Sequence, residues 1–318
     1  AIGGWIKGVG YSENITTLSD AGYYGIKKDS LVSYVTTFLG KKINRFSASH
    51  ELSHLMCAYG MSPLEQGEPC YALIWEGKLG DFYEIDKNVN ITHIGTVLDQ
   101  PGFRYCLPYW IADNFSTKEL STAGKMMALA SYSNFSEPCK EEKDILDFIF
   151  SYLGIIHELN RKDFKFSPFL NIGVQSNEFK NLAGNISINL FNRFHSFAEK
   201  HLINKYPLLI SGGCGLNCTW NTLWKDSGLF SDVFIPPCAN DSGSAIGTAV
   251  SAQFFYSGSA KINWNVYCGA EFIYDAPCPH DFIAYDIDFE KIAQLLYSNY
   301  IIAWVQGKYE LGPRALCN

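Results

Sequence analysis

The stretch PLLISGGCGLNCTWNTLW, residues 207–224, decides the predicted fold of this chain. Residues 207–211 form a short apolar run typical of a buried strand. Residues 212–215 are a glycine-rich turn, and residues 217–224 have the pattern of a helix. A strand, a tight turn and a helix in succession form the unit from which α/β domains with parallel strands are built.

Two further units of this kind follow toward the C-terminus. Residues 233–235 predict a strand, and Asp241-Ser242-Gly243 opens a helix over residues 245–255. A last unit begins near residue 283, with a helix at 289–297 and a strand at 301–305. The C-terminal part of the chain is therefore predicted to be α/β.

An antiparallel sheet is predicted before this region. Residues 71–75 and 82–85 read as a hairpin around a turn at 77–80, and residues 92–97 as a third strand. Further helices are predicted at residues 117–131, 141–159 and 179–204.

Two helices are predicted near the N-terminus. Asp29 or Ser30 can cap the first, whose apolar residues are Leu31, Val32, Val35, Phe38 and Leu39. Ser47 or Ser49 can cap the second, which ends near Gly60.

The composition predicts a sizeable core and excludes several classes of function. The 318 residues are 47% hydrophobic and 18% charged, and length alone suggests about two or three domains. The formal net charge of −7 argues against a nucleic-acid partner. No run of about 18 apolar residues predicts a membrane span. No signal peptide is visible, and the ten cysteines form no CxxC pair, so we expect reduced thiols in a cytoplasmic protein.

The second N-terminal helix carries HELSH, residues 50–54, which has two incompatible interpretations. Positions i and i+4 share one helix face, so His50 and His54 can hold one metal ion together. HExxH is also the signature of zinc peptidases, in which Glu51 would be the general base. The metzincin form of that signature needs Gly at position 57 and His at 60, which here are Cys57 and Gly60. A metallopeptidase is therefore disfavoured but stays an alternative.

Four other segments carry candidate binding residues, each with a plainer alternative. Gly212 and Gly213 before a helix N-terminus suit a phosphate, unless the turn is an ordinary one whose Asn caps the helix. Asp241 beside Gly243 suits a metal or nucleotide, and equally a helix N-cap. Glu76-Gly77 follows an apolar strand, so the carboxylate could face the site, or it could be a turn carboxylate in solvent. Arg314, near Glu310, could bind a phosphate or carboxylate with its planar guanidinium, or it could be a surface arginine.

Six segments, taken in order, resemble motifs of the O-carbamoyltransferase family of nodulation proteins and antibiotic-tailoring enzymes. They are residues 49–54 with 57–63, 71–77, 124–132, 211–217 with Asn221, 236–247, and 303–316. The last of these motifs is incomplete where the sequence stops, so we expect this sequence to be part of a longer chain.

The resemblance implies an α/β fold in which an actin/sugar-kinase-like (RNase H-like) transferase domain is followed by the start of a carbamoyl-adenylate-forming α/β domain. The boundaries expected from it are the end of a first actin-like lobe at residues 1–66, a second lobe at 67–258, a linker at 259–280, and the truncated next domain at 281–318.

The resemblance also implies a reaction. Carbamoyl phosphate and ATP would give carbamoyl-AMP, from which the carbamoyl group passes to a hydroxyl of a small-molecule acceptor such as a sugar, an antibiotic or a related metabolite. A divalent metal, with Fe²⁺ preferred and Zn²⁺ second, would be held by His50, His54 and Asp241. The nucleotide-binding residues would be Gly212, Gly213, Asn217, Asn221, Gly243, Glu76 and Gly77. The carbamoyl-phosphate-using domain would contain Glu310 and Arg314.

This sequence departs from the family pattern in places. Glu76 stands one residue later than the family's Asp, and Glu51 replaces an apolar residue, which makes Glu51 a bystander. No residue is identified as the general base, and nothing indicates an oligomeric state. A tRNA threonylcarbamoyl transferase-like enzyme or a kinase on the same scaffold, and an inactive metal- or nucleotide-binding module, stay open as alternatives.

Overall fold

A computed structural model describes residues 21–26, 30–38, 40–117, 119–271, 278 and 280–315. They form two compact units, divided between Ile262 and Asn263. The strands of the first unit are β1 (Leu31–Phe38), β2 (Lys41–Ala48), β3 (Cys70–Trp75), β4 (Gly80–Ile85), β5 (Ile91–Thr96), β6 (Leu208–Ser211) and β7 (Val233–Phe234). Its α-helices are α1 (His50–Met61), α2 (Pro101–Ala112), α3 (Ala123–Ala130), α4 (Lys140–Ser151), α5 (Asn177–His201), α6 (Cys218–Asp226) and α7 (Ser244–Ser257).

The segment predicted as the first N-terminal helix is a strand, so that prediction is wrong. β1 pairs antiparallel with β2 along its whole length, from Leu31 opposite Ala48 to Phe38 opposite Lys41. β1 is rich in Val, Thr and Tyr, whose branched or aromatic side chains favour strands. Apolar spacing alone does not distinguish a helix from a strand in this segment. Val35, which a helix would place on its packing face, is 66% exposed in β1. Leu39 lies outside the described residues.

The second N-terminal helix is confirmed as α1. The side chain of Ser49 caps it by accepting a hydrogen bond from the Leu52 N–H at 3.0 Å. All twelve residues of α1 are buried. The helix packs against the sheet on one side and α7 on another, so polar residues on α1 are held inside the protein.

A five-stranded mixed sheet forms the centre of the first unit, in the order β5-β4-β3-β6-β7. β3, β4 and β5 pair antiparallel, which confirms the predicted hairpin and third strand. β6 lies parallel to β3, and β7 lies parallel to β6, which confirms the predicted α/β pattern. The carboxyl ends of β3, β6 and β7 therefore meet at one edge of the sheet.

The core lies on both faces of this sheet, as strand periodicity requires. Leu73 and Trp75 face a layer built from α2 to α6, in which Trp75 stacks on Trp220 at 4.5 Å between ring centroids. Ala72 and Ile74 face the opposite way, toward α1 and α7.

The predicted helices between β5 and β6 are partly confirmed. α5 agrees closely with the helix predicted at 179–204. The helix predicted at 117–131 is a 3-10 turn, Leu120–Thr122, followed by α3, and that predicted at 141–159 ends as α4 at Ser151. The sequence pattern missed α2, which begins at Pro101 and contains Pro108, because proline inside a helix normally argues against one.

The second unit, residues 263–315, contains a confirmed helix and a wrong strand prediction. α8 (Phe289–Tyr297) has the predicted bounds. Residues 301–305 form no strand, since within the described residues nothing pairs with them; Glu271 and Lys308 form an isolated bridge instead. The four-part domain division stays a prediction. Among the described residues, no helix is long and apolar enough to cross a membrane.

Candidate metal centre

Two buried imidazoles face one point at the start of α1. The Nε2 atoms of His50 and His54 lie 3.1 Å apart, as expected of side chains at positions i and i+4. The side chains are 8% and 1% exposed. A pair of ring nitrogens aimed at each other inside a protein fits a shared third partner such as a metal ion.

Glu76 joins the histidines from the end of β3. Its Oε2 lies 3.2 Å from the Nε2 of His50, and its Oε1 accepts hydrogen bonds from the Tyr23 hydroxyl and, at 3.3 Å, from the Leu79 N–H. The residue is 5% exposed. The alternative of a turn carboxylate in solvent is therefore wrong.

Asp241 completes the group from a short 3-10 turn that follows β7. Its Oδ1 lies 3.4 Å from the Nε2 of His54 and 3.9 Å from that of His50. α7 begins only after Gly243, and no side chain caps its N-terminus, so Asp241 is not its N-cap. One ligand atom from each of His50, His54, Glu76 and Asp241 lies within 4.8 Å of all the others. We call these four residues the histidine–carboxylate cluster.

The fold brings the cluster together because its two carboxylates follow strands whose carboxyl ends meet at one edge of the sheet. Glu76 comes directly after β3, Ser211 ends β6, and Asp241 follows β7, while α1 lies across the same edge. This edge is where α/β sheets usually bind ligands.

Ser211 orients His54. The Ser211 hydroxyl lies 3.0 Å from the Nδ1 of His54 and donates at 3.5 Å to the carbonyl of Ala239. The hydroxyl oxygen is thus left to accept the Nδ1–H of His54, and Nε2 faces the cluster. Outer partners of this kind fix the tautomer of a metal-binding histidine.

Tyr23 and Lys78 form the rim of the cluster beside His50. The Tyr23 ring stacks on His50 with 4.3 Å between centroids and 15° between planes. The exposed Lys78 places its Nζ 4.8 Å from the centroid of the Tyr23 ring. The Tyr23 hydroxyl therefore stands at Glu76, and the Lys78 cation lies over the same Tyr23 ring.

The electrostatics favour ionised carboxylates. Burial acts to raise the pKa of Glu76, but the hydrogen bond with His50 and the nearby imidazoles together hold it below its usual value. The hydrogen bond with His54 lowers the pKa of Asp241 against the opposing effect of burial. Burial and the charge of Glu76 raise the pKa of Tyr23, so its phenol stays protonated and donates.

Glu51 takes no part in the cluster. Its Oε1 accepts from the Tyr83 hydroxyl at 2.6 Å, and its Oε2 accepts from the Gly25 N–H at 2.7 Å. Both oxygens are held by structural donors, which does not suit the general base of a peptidase.

The glycine turn after β6 is built mainly by internal contacts. Gly212 has φ +97° and donates to the Ala239 carbonyl at 2.7 Å, while Gly213 is exposed with open space around it. Asn217 caps α6 through the N–H groups of Thr219 and Trp220, and Asn221 donates to the Gly215 carbonyl at 2.8 Å. Asn217 is thus a helix cap, and Asn221 braces the glycine turn.

Gly77 and Gly243 allow close packing. A Cβ on Gly77 would lie 2.8 Å from Leu120, and one on Gly243 would lie 2.8 Å from the Sγ of Cys57. Glu310 and Arg314 belong to the second unit, where they lie in an irregular segment and Arg314 is exposed.

Sequence reasoning missed three residues around the cluster. Tyr23 and Lys78 carry no motif that could have pointed to them. Ser211 stands at the start of a recognised segment and directly precedes Gly212, so its position at the end of an apolar strand was an available signal.

Comparison with known proteins gives one consistent result. The family described as Carbamoyltransferase N-terminus matches residues 4–250. The chain is 37% identical over 324 residues to a 3'-hydroxymethylcephem-O-carbamoyltransferase of Amycolatopsis lactamdurans and 36% identical over 328 residues to one of Streptomyces clavuligerus. Each match covers 100% of this chain and 61% of the relative, so the chain spans about three fifths of their length. Nodulation protein U of Azorhizobium caulinodans is 31% identical over 310 residues, 87% of this chain and 54% of that protein.

Proposed function

The chain belongs to the carbamoyltransferase family, through its N-terminal domain, and from this we propose that it is the metal-binding part of an O-carbamoyltransferase. The protein would use ATP and carbamoyl phosphate to form carbamoyl-AMP and would pass the carbamoyl group to a hydroxyl of a small molecule. The observation that carries the proposal is the histidine–carboxylate cluster at the carboxyl edge of the sheet.

The cluster fits a divalent metal. Two imidazole nitrogens and two carboxylates are a donor set that Fe²⁺ and Zn²⁺ both accept, and we propose Fe²⁺ first. A divalent ion held there would act as a Lewis acid toward phosphate or carbonyl oxygens. His50, His54, Glu76 and Asp241 would hold it, which changes the role proposed for Glu76 from nucleotide binding to metal binding.

The open side of the cluster is the side of Asp241. Its side chain is 56% exposed, whereas those of His54 and Glu76 are 1% and 7% exposed. A phosphate-bearing substrate can approach from this side, and we propose that the cation of Lys78 and the exposed backbone of Gly213 contribute to its binding. Because Asn217 and Asn221 are engaged in the turn itself, we propose that they shape the nucleotide site from behind.

The fold proposed for the domain is the actin-like one. Three antiparallel strands extended by two parallel strands, with helices on both faces of the sheet, support this proposal. We propose that Glu310 and Arg314 belong to a following carbamoyl-phosphate-using domain. The nine described cysteines are all free, which supports a cytoplasmic location.

The acceptor that we propose is a small molecule with a primary hydroxyl. Two relatives are named for the 3'-hydroxymethyl group of a cephem, so a hydroxymethylcephem is the first acceptor to test.

The experiment combines the protein that carries this chain with Fe²⁺, ATP, carbamoyl phosphate and a hydroxymethylcephem. We expect pyrophosphate and AMP in amounts equal to the carbamoylated product, and no product with His54→Ala. Release of ADP would indicate a kinase instead, and absence of both pyrophosphate and nucleotide binding would indicate an inactive module. Cleavage of a peptide substrate with Zn²⁺ would revive the peptidase alternative.

A further inference from the structure

Three sulphur atoms meet one helical turn beyond His54, in a cluster that the proposed reaction does not use. The Sγ of Cys57 lies 3.8 Å from the Sδ of Met61, and the Sγ of Cys238 lies 3.6 Å from the same atom. All three residues are at most 2% exposed. We call Cys57, Met61 and Cys238 the sulphur cluster.

The two thiols have Met61 as a common neighbour, and neither is in a disulfide. The neighbouring Cys238 thiol and burial raise the pKa of Cys57, whereas the neighbouring Cys57 thiol lowers the pKa of Cys238. Cys238 is therefore the thiol better prepared to react as a thiolate.

The position of the pair connects it to the histidine–carboxylate cluster. Cys57 is three residues after His54 on α1, and Cys238 is three residues before Asp241. Gly243 sits between them, since a Cβ there would lie 2.8 Å from the Sγ of Cys57 and against the carbonyl of Cys238. A bond between the thiols would thus join the two segments that present His54 and Asp241.

We propose that Cys57 and Cys238 are a modification site, an oxidisable thiol pair whose disulfide ties α1 to the segment that carries Asp241. The oxidant would be a low-molecular-weight disulfide. The Cys238 thiolate attacks one of its sulphurs and releases one thiolate, which forms a mixed disulfide. Cys57 then loses its proton and attacks the Cys238 sulphur, which releases the second small thiolate. Two protein thiols become one disulfide while the small disulfide becomes two thiols.

Burial predicts the order of events. Cys139, Cys218, Cys268 and Cys278 are exposed, so they form mixed disulfides first. Cys57 and Cys238 react only when a local opening admits the oxidant, and they then close on each other instead of keeping the adduct.

The experiment treats the folded, metal-loaded protein with glutathione disulfide, alkylates the remaining thiols under denaturing conditions, and maps disulfides by mass spectrometry. We expect a peptide pair joined through Cys57 and Cys238 that dithiothreitol separates. Cys57→Ser should instead keep a glutathione adduct on Cys238, and Cys70→Ser, which removes a buried cysteine elsewhere, should leave the link unchanged. Absence of the link when Cys139, Cys218, Cys268 and Cys278 are fully modified would overturn the proposal.

A second measurement tests the tie itself and rests on the proposed metal site. Release of the metal to a chelator should be several-fold slower from the oxidised protein than from the reduced protein, with no such change in Cys57→Ser. A link with unchanged release would overturn the coupling to Asp241. If the protein binds no metal, the disulfide map still decides whether the pair is oxidisable, so the two proposals fail separately.

Discussion

The histidine–carboxylate cluster and the sulphur cluster stand on successive turns of α1, and both reach across to the segment 236–243. The first contains two ionised carboxylates and is open at Asp241, whose side chain is 56% exposed. The second contains neutral sulphur atoms and is closed, with Cys57 and Cys238 each 1% exposed. The same pair of backbone segments therefore supports two kinds of chemistry, and the donor atoms and the access of solvent decide which.

The largest effect should come from removing a nitrogen donor. We expect His54→Ala to weaken metal binding by more than about 100-fold, since loss of an outer partner alone costs about 10- to 100-fold. The measurement is metal content after dialysis against a weak chelator. His93→Ala, at a partly exposed histidine paired with Asp81, is the matched control. Full metal occupancy in His54→Ala would disprove the ligand assignment.

The next largest effect should come from a substitution that disturbs the helix packing behind both clusters. A Cβ on Gly247 of α7 would clash with the backbone carbonyl of Ser53 on α1, so Gly247→Ala must push the helices apart. We expect a loss of about 3 kcal/mol in the free energy of unfolding, measured by urea denaturation. Gly124→Ala, which meets no atom within 4 Å, should be neutral or slightly stabilising. Equal stabilities of the two variants would show that α1 and α7 are not in such close contact.

A smaller effect should come from the rim. Tyr23→Phe removes the hydrogen bond to Glu76 but keeps the ring stacked on His50. We expect metal affinity to fall about 10-fold by isothermal titration, whereas Tyr23→Leu should lose more because the stacking is also lost. If Tyr23→Phe binds metal like the unchanged protein, the hydroxyl does not position Glu76.

A variant of the sulphur cluster should leave metal binding by the histidine–carboxylate cluster unchanged. Cys57→Ala leaves every member of the histidine–carboxylate cluster in place and removes one buried atom, so we expect a cost of about 1 kcal/mol in stability. The metal affinity should stay within about 3-fold, because no ligand is changed. A larger drop in metal content would mean that the sulphur cluster is part of the metal site.

The smallest effect concerns pH in the metal-free protein. The pKa of Glu76 is lowered in the fold, so its contribution to stability is present above the ordinary carboxyl pKa of about 4.3 and is lost as the pH falls. Glu76→Gln should therefore lose less stability than the unchanged protein between about pH 6 and pH 3. Thermal melting across this range measures it, and parallel curves for the two proteins would argue against an ionised Glu76.

Local sequence signals predicted much of the secondary structure. The serine cap and apolar face predicted α1, and the glycine turn with its flanking apolar run predicted β6 and α6. The helix prediction for β1 is wrong because its apolar spacing fits both periods and because its hairpin partner β2, which directly follows it in the chain, was not recognised as a strand. α2 was missed because Pro101 and Pro108 read as breakers, although a first-turn proline is favourable in a helix.

The site was predictable only as separate pieces. His50 with His54 could be read from their i, i+4 spacing, Glu76 directly follows an apolar strand, and Asp241 comes after the loop that follows another. That Glu76 would meet His50 depends on the packing of α1 across the sheet edge, which no local pattern encodes. Tyr23 acts by contact alone, so only the structure identifies it, whereas Ser211 had the sequence signal of standing at the end of an apolar strand.

The most direct test of the account is X-ray absorption spectroscopy on the metal-loaded protein. We predict one ion per chain with a first shell of nitrogen and oxygen atoms at about 2.0–2.2 Å and no sulphur shell at about 2.3 Å. Such a spectrum would place the ion in the histidine–carboxylate cluster. A sulphur shell, or a folded protein that retains no ion, would contradict it.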